Sequence, residues 1–349
     1  MKKVRAIQSS VFILTSVLGL IGNAQHGDYV PPQPFVESTT ETDEFAYSAV
    51  SPSEALDLTT PLRFKPVIGV EMGFVSLRRS ALESFNFVFD QLGTPLLNMD
   101  QLQGGSGSGL DTKLHFYNLF SDSKAIDVEM RFFQVSDMTF DQTVSATQVI
   151  PVFFNAVPAT PVAAERILYV SSVRSFESNL VARTPWRIRL LGGFRYFELA
   201  EDFNAIDDQS DPPRLVRSRT RNSLGGGQIG AEAVLISNTY GKIWGSFKWA
   251  GLRNEVGGNA VAADPATGGF LVSILSGTTT TNLLDFELAG SLAITRSFSL
   301  YGGYQGLVAD EVGLVTSQSR ASSIFTPNNP ITFDDAQWHG CKFGAVLTF

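Results

Sequence analysis

An imidazole beside a carboxylate can activate water, so the histidines are the first place to look for chemistry. The chain has three: His26, His115 and His339. His115 follows Asp111 and Lys113 at alternate positions, and His339 follows Asp334 and Asp335. A His–carboxylate pair at either place could polarise a water molecule, but no Gly-x-Ser-x-Gly nucleophile motif accompanies them. Gly225-Gly226-Gly227 and the glycines of Gly104–Gly109 lack the lysine and the strand–helix setting of a phosphate loop. Asp207, Asp208 and Asp211 match no EF-hand spacing. Cys341 is the single cysteine, which excludes an internal disulfide and a Cys/His metal pattern. The expectation is no catalysis, no cofactor and no metal.

A second set of charges falls at alternate positions inside otherwise apolar segments. It comprises Glu71, Asp111, Lys113, Asp127, Glu129, Arg131, Arg187, Arg189, Arg195, Glu232, Lys242, Lys248, Asp285, Glu287 and Lys342. Alternate residues of a strand share one face. Arg or Lys on a lipid face at mid-bilayer would cost about 2–4 kcal/mol each. If these strands cross a membrane, the charged face must look inward, onto a lumen of mixed charge. Such a lumen could select ions, or its charges could pair and fill it.

The elements that would position these charges are strands. Period-two alternation marks ten segments: Pro66–Leu77, Gly109–Phe120, Lys124–Asp137, Ala164–Leu180, Thr184–Ala200, Arg219–Ser237, Tyr240–Glu255, Thr280–Thr295, Ser297–Ala309 and Asp335–Phe349. Leu284, Phe286, Leu288, Leu292 and Ile294 oppose Asp285, Glu287, Ala289 and Ser291. Ile126, Val128, Met130 and Phe132 oppose Asp127, Glu129 and Arg131. Trp186, Ile188, Leu190, Phe194 and Tyr196 oppose Arg187, Arg189 and Arg195. The register of Ile167–Leu180 stays ambiguous. Phe85–Asp90 and Val149–Ala156 could add short pairs, so eight or twelve strands stay open beside ten. Trp186, Tyr196, Tyr240, Trp249 and Trp338 lie near strand ends and read either as interfacial girdles or as core.

The connections alternate in length. Ser121–Ser123, Val181–Arg183, Asn238-Thr239 and Thr295-Arg296 are short, while Arg78–Ser108, Met138–Ala163, Glu201–Ser218, Val256–Thr279 and Asp310–Asp334 are long and polar. Outer-membrane barrels have that parity, with tight periplasmic turns and freer outer loops. An even strand count returns the chain to its starting side, and Phe349 closes it with the terminal aromatic that barrel-assembly machinery reads. The expected fold is all-β: an up-and-down antiparallel transmembrane barrel of about ten strands over residues 66–349. A soluble secreted β-domain is a competing expectation.

The first residues read as an export signal. Lys2, Lys3 and Arg5 precede the apolar run Val11–Gly22, and Gly22-Asn23-Ala24 offers small residues for cleavage after Ala24. An uncleaved anchor helix is the alternative, although the run is short for one. Residues 25–65 carry Pro31, Pro32, Pro34, Pro52 and Pro61 among acidic and hydroxyl residues, and read as a disordered or loosely held periplasmic leader. Only 17% of the 349 residues are charged, while 27 are Phe and 31 Gly, which suits a β-rich chain with an apolar exterior. The net charge of -8 and the lack of a basic patch with interleaved aromatics argue against a nucleic-acid partner.

Leu190–Leu199 (LLGGFRYFEL), Asn222–Glu232 (NSLGGGQIGAE), Leu300–Leu307 (LYGGYQGL) and the closing Gly340–Phe349 resemble a family of porin-like β-barrels typical of planctomycete bacteria. The likeness runs from about Pro66 onward and is strongest after Trp186. Cys341 and a less regular first half depart from the pattern. The resemblance implies an outer-membrane barrel and brings no substrate or functional residue with it. The sequence therefore points to a bacterial outer-membrane location. The partners expected are membrane lipid and the assembly machinery. Two roles remain: a narrow porin-like channel or structural barrel, or a binding barrel or adhesin that uses its long outer loops.

Overall fold

The computed structural model describes residues 67–349 apart from 81–85, 91, 99–104, 118–125, 152–161, 185, 208–213, 265–268, 296 and 321–330. The predicted signal and leader, 1–24 and 25–65, lie outside the described residues, as do Gly104 and the aspartates 208 and 211. Twelve strands appear: β1 Val67–Arg79, β2 Asn86–Asp90, β3 Pro95–Asn98, β4 Ser106–Tyr117, β5 Ile126–Pro151, β6 Val162–Arg183, β7 Ile188–Asp207, β8 Arg214–Asn238, β9 Gly241–Asp264, β10 Gly269–Ala293, β11 Phe298–Gly313 and β12 Phe333–Thr348. One short helix, α1 (Val315–Arg320), follows β11.

Ten of the strands close an antiparallel barrel. The order runs β4-β1-β12-β11-β10-β9-β8-β7-β6, and β5 joins β4 to β6. Closure is an ordinary ladder, from Gly69↔Thr348 to Arg79↔Trp338. The remaining hairpin, β2–β3, extends the far end of β5, where Val88 faces Pro151. Ile68 and Phe349 exchange backbone hydrogen bonds of 3.3 and 2.9 Å, so the first and last strands meet at one end. We call it the terminal end. Tight turns gather there: Thr184 N donates to Ile188 O, and Asn238 Oδ1 accepts from the amides of Tyr240 and Gly241.

The strands run further than the alternation suggested. β5 reaches residue 151, β9 residue 264, and β10 begins at residue 269. Much of Met138–Ala163, Glu201–Ser218 and Val256–Thr279 continues the ladder, while Arg78–Ser108 carries the β2–β3 hairpin and Asp310–Asp334 the helix α1. The reason is a change of phase. Near the terminal end, apolar residues face outward and polar ones inward. Further along the same strands the two faces exchange character. On β6, Phe176 and Leu180 are exposed while Glu177 and Asn179 are buried; beyond them Val173, Tyr169 and Ile167 are the buried set. β7 does the same between Arg195 and Phe197, and β10 between Asp285 and Leu283.

The outward apolar zone is a belt. Along β10 and the residue after it, the belt spans Leu284 to Ile294, ten residue steps. At about 3.4 Å per step and a tilt near 40°, that is about 26 Å, the height of a transmembrane barrel's apolar band. Past the belt, β5–β10 continue for about 30 Å as a cage with a polar outside and an apolar inside.

The closing seam depends on two glycines. Gly73 faces Gly344, which faces Tyr301, and the buried tyrosine ring lies across both. A Cβ on Gly344 would stand 2.2 Å from Met72 O and 2.7 Å from the Tyr301 ring. An aromatic covering strand glycines pins register. Gly344→Val should therefore cost about 1–3 kcal/mol and lower the temperature at which the folded band converts on a heat-modifiable gel. A conversion temperature equal to the parent's would refute this account of the seam.

Candidate functional site

The lumen has two layers. Nearer the terminal end, inward positions bring together the carboxylates of Glu71, Asp111, Asp127, Glu129, Glu177, Glu232, Asp285 and Glu287. They meet the cations Lys113, Arg131, Arg183, Arg189, Arg195, Lys242, Lys248 and Lys342. With eight of each sign, the Asp, Glu, Lys and Arg charges of the layer balance.

Its centre is a lattice of buried ion pairs. Arg131 grips Asp111 with two hydrogen bonds of 2.8 and 2.7 Å, and reaches Gln305 at 3.0 Å and Asp285 at 3.4 Å. Arg195 bonds Asp285 at 3.1 Å. Glu177 is the hub: Lys248 donates to it at 2.6 Å and Gln228 at 3.1 Å, with Arg131 and Arg195 at 3.5 and 3.7 Å. Lys342 bridges Glu287 at 2.7 Å and Asp111 at 3.5 Å. Lys113 lies 3.7 Å from Glu71, and Arg189 bonds Glu232 at 3.0 Å. His115 sits 3.4 Å from Glu129 and stacks on Tyr117. Arg183 pairs with Asp127 at the terminal mouth. A charge this deep is tolerable only with partners on several sides, and most members here have them.

Fourteen of the fifteen charges expected inward stand on the lumen side, with Lys242 open to solvent at the mouth over the Trp244 ring, 4.8 Å away. Arg187 is a correction. It lies in the turn before β7 with a φ of 60°, and it is exposed. The strand alternation begins one residue later, at Ile188, after this left-handed turn position. Sequence reasoning missed Glu177 and Arg183. Both lie on β6, and Glu177 falls in the stretch whose register was ambiguous.

The second layer is apolar. Val75, Leu77, Phe133, Val135, Val173, Phe197, Leu199, Leu224, Leu252, Leu283, Leu307 and Trp338 converge from nine of the barrel strands as one cluster, each 0 or 1% exposed. A water-sized sphere therefore reaches almost none of this layer, and Asp111, Glu177 and Gln305 beneath it are equally sealed. Trp338, read as a girdle or core residue, is core. Its ring centroid is 6.0 Å from that of Phe197. Trp186 and Tyr240 are exposed beside the terminal turns, Trp249 faces outward, and the Tyr196 hydroxyl donates to Glu198 at 3.1 Å.

Beyond the apolar layer, the chain after β11 folds into the cage. Asn222 exchanges hydrogen bonds with Gly313 at 2.9 and 2.7 Å, and Asn254 and Thr281 donate to Glu311 O. Glu201 accepts from Val315 N at 2.8 Å and from Tyr169 at 2.8 Å, and it pairs with Arg79. Burial is the largest influence on this pair. It pushes the Glu201 carboxyl up and the Arg79 guanidinium down, against their mutual attraction. Val315 to Gln318 are buried under the far rim.

His115 meets the carboxylates of Glu129 and Glu71, at 3.4 and 4.0 Å, and His339 meets none among the described residues. His115 belongs to the ion lattice. His339 is on the outward face beside the Tyr304 ring, 6.0 Å away, and Asp335 lies four strand positions, about 13 Å, from it. Among the described residues no group of three His, Cys, Asp or Glu could hold a metal ion.

Outside the cage, β8 presents Arg217, Arg219 and Arg221 in a row. Arg217 and Arg219 both bond Asp202, at 2.8 and 2.6 Å, and Arg221 bonds Glu198 at 2.6 Å. Beside them lies a groove of about 600 Å³ lined by β6–β9.

No family model matches the sequence, and neither does any curated protein. Among solved structures, the chain is similar to the outer membrane protease OmpT of Escherichia coli, with 11% identity and a TM-score of 0.45 over 82% of this chain and 97% of that one. It is also similar to Ail, the attachment invasion locus protein of Yersinia pestis (11%, 0.24, 82% and 100%), and to a FadL homologue of Pseudomonas aeruginosa (8%, 0.28, 82% and 90%). These likenesses transfer no residue's role; the chain itself is a closed, ten-stranded, transmembrane-type β-barrel with a belt, a filled lumen and a protruding cage.

Proposed function

We propose that this protein is a non-conducting barrel of a bacterial outer membrane whose role is to hold a rigid β-cage outside the cell for binding. On this reading the terminal end is periplasmic and the far end outward. The observation that carries it is the doubly sealed lumen: a charge-balanced lattice under an apolar layer that water does not reach. A conducting pore needs a continuous wet path. Barrels of about eight strands fill their interior with side chains, and 16–18 strands open a channel. Strands that continue past the belt as regular ladder hold a surface more firmly than loops do. No catalytic step belongs to this reading, since His115 is held among lumen ion pairs and His339 faces away from them.

Purified full-length protein in a planar bilayer should give no stable current steps, while fractionation should place it with outer-membrane lipid. Reproducible unitary steps would overturn the non-conducting reading, and a freely soluble mature form would overturn the membrane reading.

A further inference from the structure

The groove on the outer wall of the cage has a floor, a rim and a height above the membrane, and together these define an occupant. Its floor is made of small outward residues, Ser172, Ala200 and Gly257. A Cβ on Gly257 would meet nothing within 4 Å, so space stands open over that floor. Arg219, Arg221 and Asn259 form the rim together with the carboxylates of Asp202 and Glu255, and the buried Glu201 lies behind it. The side chains of the two arginines are 51% and 63% exposed, although each already holds one carboxylate.

Charge is in surplus here. Arg217, Arg219 and Arg221 share two carboxylates, Asp202 and Glu198; Arg174 stands opposite Glu198 in the ladder, and Arg253 and Glu255 pair with each other. This wall of the cage is thus cationic in a chain whose net charge is -8. Guanidinium forks suit phosphate and carboxylate, while hydroxyl and amide neighbours suit sugar hydroxyls.

Height narrows the choice. Trp249 is the last large belt residue on β9, and Gly257 lies eight residues beyond it; on β6, Ser172 lies four beyond Phe176. At about 3.3 Å per residue and the tilt of a barrel strand, the groove stands about 10–20 Å above the hydrocarbon. A phospholipid headgroup layer is only about 5–7 Å deep. A short headgroup does not reach the groove, whereas a glycan extended from the outer leaflet does.

We infer that the groove on β6–β9 binds an acidic oligosaccharide, phosphorylated or carboxylated, borne by a glycolipid of the surrounding outer leaflet. The inference rests on the reading of the cage as a binding surface and adds its ligand class. The test is calorimetric titration of full-length protein in a zwitterionic micelle. The probes are a deacylated, phosphorylated core oligosaccharide from lipopolysaccharide, neutral maltoheptaose, and phosphatidylglycerol. The phosphorylated glycan should bind saturably and more weakly as salt rises, and the R219A/R221A double variant should bind it at least about tenfold more weakly. R166A, which removes an exposed charge paired with Asp141 away from the groove, should bind like the parent. A heat-modifiable gel shift verifies that each variant is folded. The inference fails if the phosphorylated glycan does not saturate, if maltoheptaose or phosphatidylglycerol binds through the same arginines, or if the double variant binds as the parent does. A silent barrel that binds no glycan would sink this inference alone, and a conducting barrel that binds it would sink only the non-conducting reading.

Discussion

Glu177→Ala should be among the most destabilising substitutions in the barrel, costing about 3–5 kcal/mol in urea unfolding monitored by tryptophan fluorescence in micelles. Glu177 is fully buried and lies between three cations, Arg131, Arg195 and Lys248. Removing it does not simply delete an attraction. It leaves Lys248 with no other ion-pair partner among the described residues and strips Arg131 and Arg195 of one of their anions, in a place water does not reach. Adding Lys248→Met to Glu177→Ala should therefore recover more than about 1 kcal/mol, because it removes the cation left most exposed to that loss. Glu232→Gln offers the contrast. Its ion pair with Arg189 lies nearer the terminal mouth, Arg189 keeps Glu129 at 3.7 Å, and a Gln still accepts its hydrogen bond, so the change should cost less than Glu177→Ala. A loss below about 1 kcal/mol for Glu177→Ala would mean that the lattice is not a structural unit.

That hub was hard to see in the sequence for a physical reason. A strand in one environment has one amphipathic phase, and period-two reading recovers it. Ile126–Arg131 and Leu284–Ile294 are such cases, and their faces fall as the alternation predicts. A strand that passes from a membrane belt into a protruding cage meets two environments of opposite demand. On β6 the phase exchanges between Val173 and Phe176, so a single alternation drawn through Ile167–Leu180 averages to nothing. The same exchange explains why residues 201–207, 214–218, 256–264 and 269–279 read as loop: their outward sides are largely polar because they face water, although the backbone stays in the ladder. Trp338 is in phase with Lys342 on β12, which already placed it inward. Arg187 shows the opposite error, since no periodicity announces that a left-handed turn residue ends the pattern. The groove on β8 was not legible at all, because Arg217, Arg219 and Arg221 share a face with small residues that are far apart in sequence.

Trp338→Ala should cost about 3–5 kcal/mol yet leave the barrel electrically silent. The indole is 1% exposed, packs against Phe197, and lies under the Arg79 guanidinium, 6.0 Å away. It is the largest side chain of the apolar layer, set across the ladder from Arg79 on one side and Leu307 on the other. Truncation removes its buried surface and leaves a void that close-packed neighbours fill only in part. Trp338→Phe keeps most of the volume and should lose less. The void still opens onto Arg131, Asp111, Glu177 and Gln305, which are themselves sealed and cross-bonded. Ion passage would require breaking that second layer as well, which is why stability and conductance should separate in this variant. Measured together, a lower unfolding midpoint with no current steps supports two independent seals. Current steps from Trp338→Ala would show that the apolar layer closes the lumen alone and that the ionic lattice beneath it is already permeable.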